Sequence, residues 1–349
     1  RVYRAEIDDI DGNLTPPGIK KVPAEVIELI AKSINDGVPR GLASGRAEKI
    51  TEKIRALGVH DIEEVASQIR ARLSPEAVSR LVLISENGSI ASWQEWNKGE
   101  NRFGRREVDL VKKYIVPAGY QFLQAERAEL YQAIVAHLSA KEFTNPFRFR
   151  EDKQYGFAAW VNAKPEEASA FANAMARETN TFLKEHVNPH FRLFEAVATT
   201  VTVDVMLKGV DKSLALRFFE DHFDLQREEI VTTDDKGREN GNGWMFTRHK
   251  AGFSTNEFDI KNHYQIPLKL IAGQEGGLKS WLWLQDQLHF SPLDQDQNKK
   301  KWFTLDWDNR PLWWRLLIGT AAIAAVGGLG YLILPFVTNQ IAFFSLIAV

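Results

Sequence analysis

The chain of 349 residues contains no cysteine. That removes disulfides, zinc-thiolate sites and thiol nucleophiles, and leaves the redox compartment undetermined. An excess of charge of either sign is also missing. The 44 basic side chains nearly balance the 46 acidic ones, and the formal charge of −2 gives no global attraction to nucleic acid or anionic lipid. Any polyanion site must therefore be local. No initiating methionine and no apolar leader stand at Arg1, so the start reads as processed or as part of a longer chain. Internal repeats and low-complexity tracts are lacking too, and the length suggests about two domains.

Long hydrophobic runs are scarce until the C-terminus. Residues 316–337, "LLIGTAAIAAVGGLGYLILPFV", carry no charge over about the 20 residues that cross a bilayer as a helix. Upstream lie Lys299, Lys300, Lys301, Arg310 and Arg315, interleaved with Trp302, Trp307, Trp313 and Trp314. Basic residues favour the cytoplasmic side and tryptophans the interface, so the pattern predicts a transmembrane helix with residues 1–315 in the cytoplasm. A shorter apolar stretch within residues 338–349 reads as an interfacial tail or the start of a second span.

The rest of the chain alternates short apolar runs with amphipathic helical patterns, as expected of an α/β fold built from βαβ units. "VPAEVIELIAKSIND" places Val26, Ile27, Ile30, Ala31 and Ile34 at helical spacing, with Pro23 suited to a first turn. "RGLASGR" reads as a strand and turn, "AEKITEKIRALG" as the next helix, and "RLVLISENGSIASW" as a further strand with a turn. A helix is expected over residues 165–185 and paired strands in "RLFEAVATTVTVDVML", a two-layer unit of its own. Helix and strand alternation then resumes in "DKSLALRFFEDHF", "EEIVTTDD" and "AGFSTNEFD". One domain is therefore expected to be inserted in another, with a core over 1–92 and 208–290, an insert over 93–207 and a charged juxtamembrane linker over 291–315.

The chemistry concentrates in a few short stretches. "DIDGNLT", from Asp9 to Thr15, resembles the first motif of the haloacid dehalogenase superfamily of phosphatases, an aspartate two residues before a second aspartate and a glycine. "LASGR" resembles the second motif, "ENGSI" the strand and turn preceding a large α/β cap, and "KGVDKSLAL" the third motif, whose lysine opens a helix after the cap. "REEIVTTDD" stands where the acidic fourth motif belongs. The resemblance covers about residues 1–290 and implies a Rossmann-like core with an inserted α/β cap. "DIDGNLT" is most similar to archaeal phosphoglycolate phosphatases, and "ENG" to sucrose-phosphate and mannosyl-phosphoglycerate phosphatases.

The resemblance implies a phosphoric monoester hydrolase acting on a small phosphorylated substrate such as a sugar phosphate. Asp9 would be the carboxylate nucleophile and Asp11 the general acid and base. Ser44 and Lys212 would bind the phosphate, Lys212 being preferred to Lys208 because it follows "GVD" and opens a helix. A magnesium ion, Mg2+, held by Asp9, Asp11 and Asp235, with Asp234 as the alternative, would offset the crowded charges. The fourth motif departs from the family pattern: Asp234 stands where glycine is expected, and Asn240 or Asn242 must replace the second acid. Two alternatives follow, a catalytically impaired relative that binds a phosphorylated ligand or partner at the membrane, and a phosphomutase. Asp8 is extra, replacing the usual apolar neighbour of the nucleophile, and like-charge repulsion predicts that it is exposed or paired.

Overall fold

The computed structural model describes residues 2–16, 21–47, 61–116, 124–141, 143, 148–150, 155–160, 165–198, 202–237, 242–258, 265–267 and 277–293. The apolar run over 316–337, the tail over 338–349, the linker beyond 293, Asn240 and nearly all of the helix expected from "AEKITEKIRALG" lie outside the described residues. Among the described residues no helix is long and apolar enough to cross a membrane.

An eight-stranded mixed sheet runs in the order β12-β11-β10-β1-β2-β3-β4-β5. Its strands are β1 (Ala5–Asp9), β2 (Arg40–Ala43), β3 (Leu81–Ser85), β4 (Ile90–Asn97), β5 (Arg102–Asp109), β10 (Ile230–Gly237), β11 (Gly252–Phe258) and β12 (Gln265–Pro267). From β12 to β3 the pairing is parallel, and β4 and β5 add an antiparallel hairpin. A second, antiparallel sheet, in the order β6-β7-β9-β8, joins β6 (Arg148–Arg150), β7 (Gly156–Trp160), β8 (Phe194–Ala198) and β9 (Thr202–Leu207). The β4–β5 hairpin straddles the expected boundary at 92/93 and is continuous with the large sheet. In sequence, the second sheet begins at Arg148.

Helices α1 (Ala24–Asn35), α2 (Ile62–Arg70), α3 (Gln124–Ala140), α4 (Pro165–Glu185), α5 (Ser213–Phe223) and α6 (Gly277–Gln287) cover the sheets. The five apolar residues predicted for α1 are the ones it buries, with Pro23 at its N-cap. Each such Val or Ile contributes roughly 1.5–3 kcal/mol of transfer free energy. The Asp61 side chain caps α2 by accepting from the Glu64 amide at 3.0 Å. On one face of the large sheet α1, α2 and Trp281 of α6 share an apolar cluster; on the other, Ala5 and Ile7 belong to a cluster with α5 residues such as Leu216 and Phe219.

This arrangement puts β1 between β10 and β2, in the middle of the parallel strands. The carboxyl ends of parallel strands form the crevice where open α/β sheets bind ligands. Asp9, Ser44 and the pair Asp234 and Asp235 all stand at those ends.

Candidate active site

Asp9 closes β1 and leads into the turn Ile10–Leu14, where Gly12 has φ +79. That left-handed conformation suits glycine, and space demands it as well, because a Cβ at position 12 would overlap the Asp235 carboxylate. The turn is braced from beneath. Asn13 donates through Nδ2 to the Asp9 carbonyl at 3.0 Å and to Thr233 Oγ1 at 2.7 Å, while its Oδ1 accepts from Thr255 Oγ1 at 2.8 Å. Gly277 opens α6 against the Gly12 carbonyl, where a Cβ would collide.

Lys212 is fully buried, and its ammonium lies 2.7 Å from Asp9 Oδ1 and 2.6 Å from Asp234 Oδ2. Burial pulls its pKa down, but Asp234 and Asp9 outweigh burial and hold it above the ordinary lysine value, so it is a permanent cation. Lys208 is exposed and holds no such position. Asp9 is driven well above the ordinary carboxylate range, first by burial and then by Asp234, Asp235 and Asp11, with Lys212 opposing. One ammonium does not neutralise that pocket.

Asp9, Asp234 and Asp235 are all buried and present ligand oxygens within 4.8 Å of one another. A compact set of carboxylate oxygens is the donor chemistry of a hard divalent cation such as Mg2+. Asp234 Oδ1 also accepts from the Lys236 amide at 2.8 Å, and Gly243 packs so close that a Cβ there would overlap the Asp234 carboxylate. Beside Gly243, Asn242 keeps its Oδ1 buried with no hydrogen-bond partner, a further oxygen donor on the same loop. The residues therefore fit a cation, and both aspartates of the fourth motif belong to the cluster rather than one in place of the other.

Asp11 and Ser44 form the other half of the site. The Asp11 side chain is 52% exposed and is held by Arg46, through Nε at 2.8 Å and a second, shorter contact from Nη2. Ser44 is buried; its Oγ lies 3.4 Å from Asp11 Oδ2 and accepts from the Arg46 amide at 3.1 Å. Burial opposes the Arg46 charge but Asp11 outweighs it, raising the guanidinium pKa above the ordinary arginine value. Arg46 Nη1 is buried with no partner. Arg46 was missed in the sequence reading, although it stands inside the "LASGR" stretch singled out there.

Asp8, expected to be exposed or paired, lies on the other face of the strand. It is buried and paired: Oδ1 accepts from Thr233 Oγ1 at 2.6 Å and Trp281 Nε1 at 2.8 Å, and Oδ2 lies 3.3 Å from Arg40 Nη1. Glu6, two residues earlier and so on the same face of the strand, pairs with Arg40 Nη1 and accepts from Gln285 Nε2 at 2.8 Å. Arg40 Nη2 completes the set by donating to Gln285 Oε1 at 2.8 Å.

A family model described as haloacid dehalogenase-like hydrolase matches residues 7–236. Among solved structures, an IMP-bound mutant of Plasmodium falciparum IMP-nucleotidase is 12% identical with a TM-score of 0.49, over 70% of this chain and 61% of that one. A structure from work on a trigonal-bipyramidal intermediate in a phosphoryl-transfer superfamily is 16% identical with a TM-score of 0.47, over 86% of this chain and 97% of that one. A Thermoplasma acidophilum protein is 16% identical with a TM-score of 0.40, over 70% and 81% of the two chains. The chain thus spans less than two thirds of the nucleotidase's length. No curated protein matches it by sequence.

Proposed function

Because the chain belongs to the haloacid dehalogenase-like hydrolase family, we propose that it is a phosphatase that hydrolyses a small phosphomonoester, such as a sugar phosphate, through an aspartyl-phosphate on Asp9. The observation that carries this reading is the Lys212 ammonium set between Asp9 and Asp234, with Asp235 beside them. A carboxylate becomes a competent nucleophile toward a phosphate dianion only where cations offset the repulsion.

In the proposed reaction an Asp9 oxygen attacks phosphorus and the bond to the substrate's alcohol oxygen breaks. Asp11 gives that oxygen its proton and then takes one from the water that attacks the aspartyl-phosphate, releasing phosphate and regenerating Asp9. Half exposed, Asp11 is free to leave Arg46 for the leaving group; Ser44 Oγ and the unpartnered Nη1 of Arg46 offer donors to the phosphate oxygens. Asp9, Asp234 and Asp235 would hold Mg2+, with Asn242 as an added oxygen donor. When bound, the ion supplies positive charge that polarises the phosphoryl group.

The second sheet, with α3 and α4, serves in this reading as the cap over the crevice. Residues 316–337 are proposed to anchor the catalytic part to the cytoplasmic side of a membrane, which fractionation of the full chain after carbonate extraction tests; recovery in the soluble fraction would sink that part. The activity is tested by phosphate release from a panel of phosphomonoesters with Mg2+. Hydrolysis by the wild type and none by Asp9→Asn is expected. Activity that survives in Asp9→Asn refutes the mechanism, and no hydrolysis across a broad panel would favour a protein that only binds a phosphorylated ligand.

A further inference from the structure

The turn between β3 and β4 is strained in an unusual way. Glu86, Asn87 and Gly88 have φ of +53, +56 and +98, three left-handed residues in a row, of which only the last is glycine. Such a turn persists only where its surroundings hold it, and here three parts of the molecule do. Its Asn87 amide donates to the Ser44 carbonyl at 2.9 Å and its Glu86 amide to the Arg46 carbonyl at 2.8 Å. Gly88 is pressed against the carbonyl of Asp211, the residue before Lys212, so that a Cβ there would collide. The Asn87 side chain donates from Nδ2 to Asp204 Oδ2 of β9 at 2.8 Å and contacts Met206 Sδ at 3.3 Å, while its Oδ1 lies over Gly45, without a hydrogen-bond partner. Both Asn87 and Asp204 are buried.

We propose that Asn87 is a positioning residue: it clasps the second sheet, through Asp204, to the loop that carries Ser44 and Arg46. The inference rests on the reading of that loop as phosphate-binding and of the second sheet as the cap. Through the clasp, the loop takes its productive geometry only with β9 seated, so substrate enclosed by the cap meets an ordered Ser44 and Arg46. A charge-assisted bond between buried partners is strong enough to transmit such a constraint. Asparagine also suits the left-handed backbone, and aspartate tolerates it nearly as well, so the side chain can be altered without adding much backbone strain.

The test exchanges the two side chains. Asn87→Asp sets two buried carboxylates against each other; adding Asp204→Asn restores one donor and one acceptor in reversed order. Hydrogen exchange on the full chain reads the clasp without any activity. In Asn87→Asp we expect loss of protection both in peptides of residues 43–46 and in peptides of β9, and recovery of both in the double variant. In the magnesium-loaded protein, kcat for the best phosphomonoester should fall about 10-fold or more in Asn87→Asp and recover to within roughly 3-fold in the double variant, as expected for one charge-assisted bond lost and remade. The proposal is overturned if exchange changes in β9 alone, if the double variant exchanges and turns over like the single one, or if kcat is indifferent to both. Should the wild type hydrolyse nothing, the phosphatase reading fails while exchange still decides the clasp.

Discussion

Asp8 and Asp9 are neighbours on one strand, both buried, and their surroundings are opposites. Asp8, with Glu6, faces α6, where one guanidinium, an indole, a hydroxyl and an amide supply donors to two carboxylates. Asp9 faces the crevice, where one ammonium sits between Asp9 and Asp234 with Asp235 close by, and burial together with Asp234, Asp235 and Asp11 pushes the proposed nucleophile well above the ordinary carboxylate range with only Lys212 opposing. Buried charge supplied with donors on all sides makes structure. Buried charge left in excess makes a place for a cation and a phosphate. The side-chain alternation of a single strand separates the two uses by one residue.

That contrast can be broken from either side. Lys212→Met should have the largest effect, lowering turnover by about 10²–10³-fold, the usual cost of losing one group that stabilises transition-state charge. A steady-state assay on folded protein, with near-ultraviolet circular dichroism as a check, measures it, and unchanged turnover would remove the crevice cluster from catalysis. On the other face, Arg40→Met leaves Glu6 and Asp8 buried without their cation and should cost about 3–5 kcal/mol of stability in denaturant titration. Turnover of the protein that remains folded should change far less than in Lys212→Met. Trp281→Phe removes the indole donor to Asp8 together with part of a buried ring, and should cost about 1–3 kcal/mol for the unsatisfied carboxylate plus a cavity contribution. A loss of activity larger than the loss of stability would mean that the two clusters are not separate.

The smallest expected effect is a change in pH dependence. Burial raises Glu6 well above the ordinary carboxylate range, with Arg40 opposing and Asp8 adding to the rise. Between the unfolded and folded pKa values the folded state holds the extra proton, so stability falls as pH rises through that window, by at most about 1.4 kcal/mol per pH unit for one proton. Glu6→Gln should flatten that part of the curve of Tm against pH. An unaltered slope would show that Glu6 does not titrate on unfolding.

The crevice was legible in the sequence through the resemblance to the family's motifs. Asp9 and Asp11 two apart, Ser44 after a strand, Lys212 at the start of a helix and an acidic pair after an apolar strand are each ordinary alone, and it is their order along the chain that singled them out. The other face was not legible. Asp8 meets Trp281 from 273 positions away, Gln285 reaches Glu6 across 279, and Arg40 reads as an ordinary strand residue until the sheet register sets it beside Glu6. The sequence reading left Asp8 as exposed or paired, and long-range packing decides for paired. Both Asp234 and Asp235 were offered as metal ligands, one in place of the other. The irregularity in the pairing of β10 with β11 between Asp234 and Lys236 lies where consecutive aspartates both join the cluster, which a regular alternation would not have suggested. Asn87 was hidden in "ENG", where only its turn signal could be read.

The most direct test of the account is to quench the magnesium-loaded protein during turnover of a hydrolysed phosphomonoester and to map the phosphoryl group by peptide mass spectrometry. The adduct should be found on Asp9 and be absent in Asp9→Asn, which should release no phosphate; an adduct on another residue, or continued phosphate release by Asp9→Asn, would contradict it.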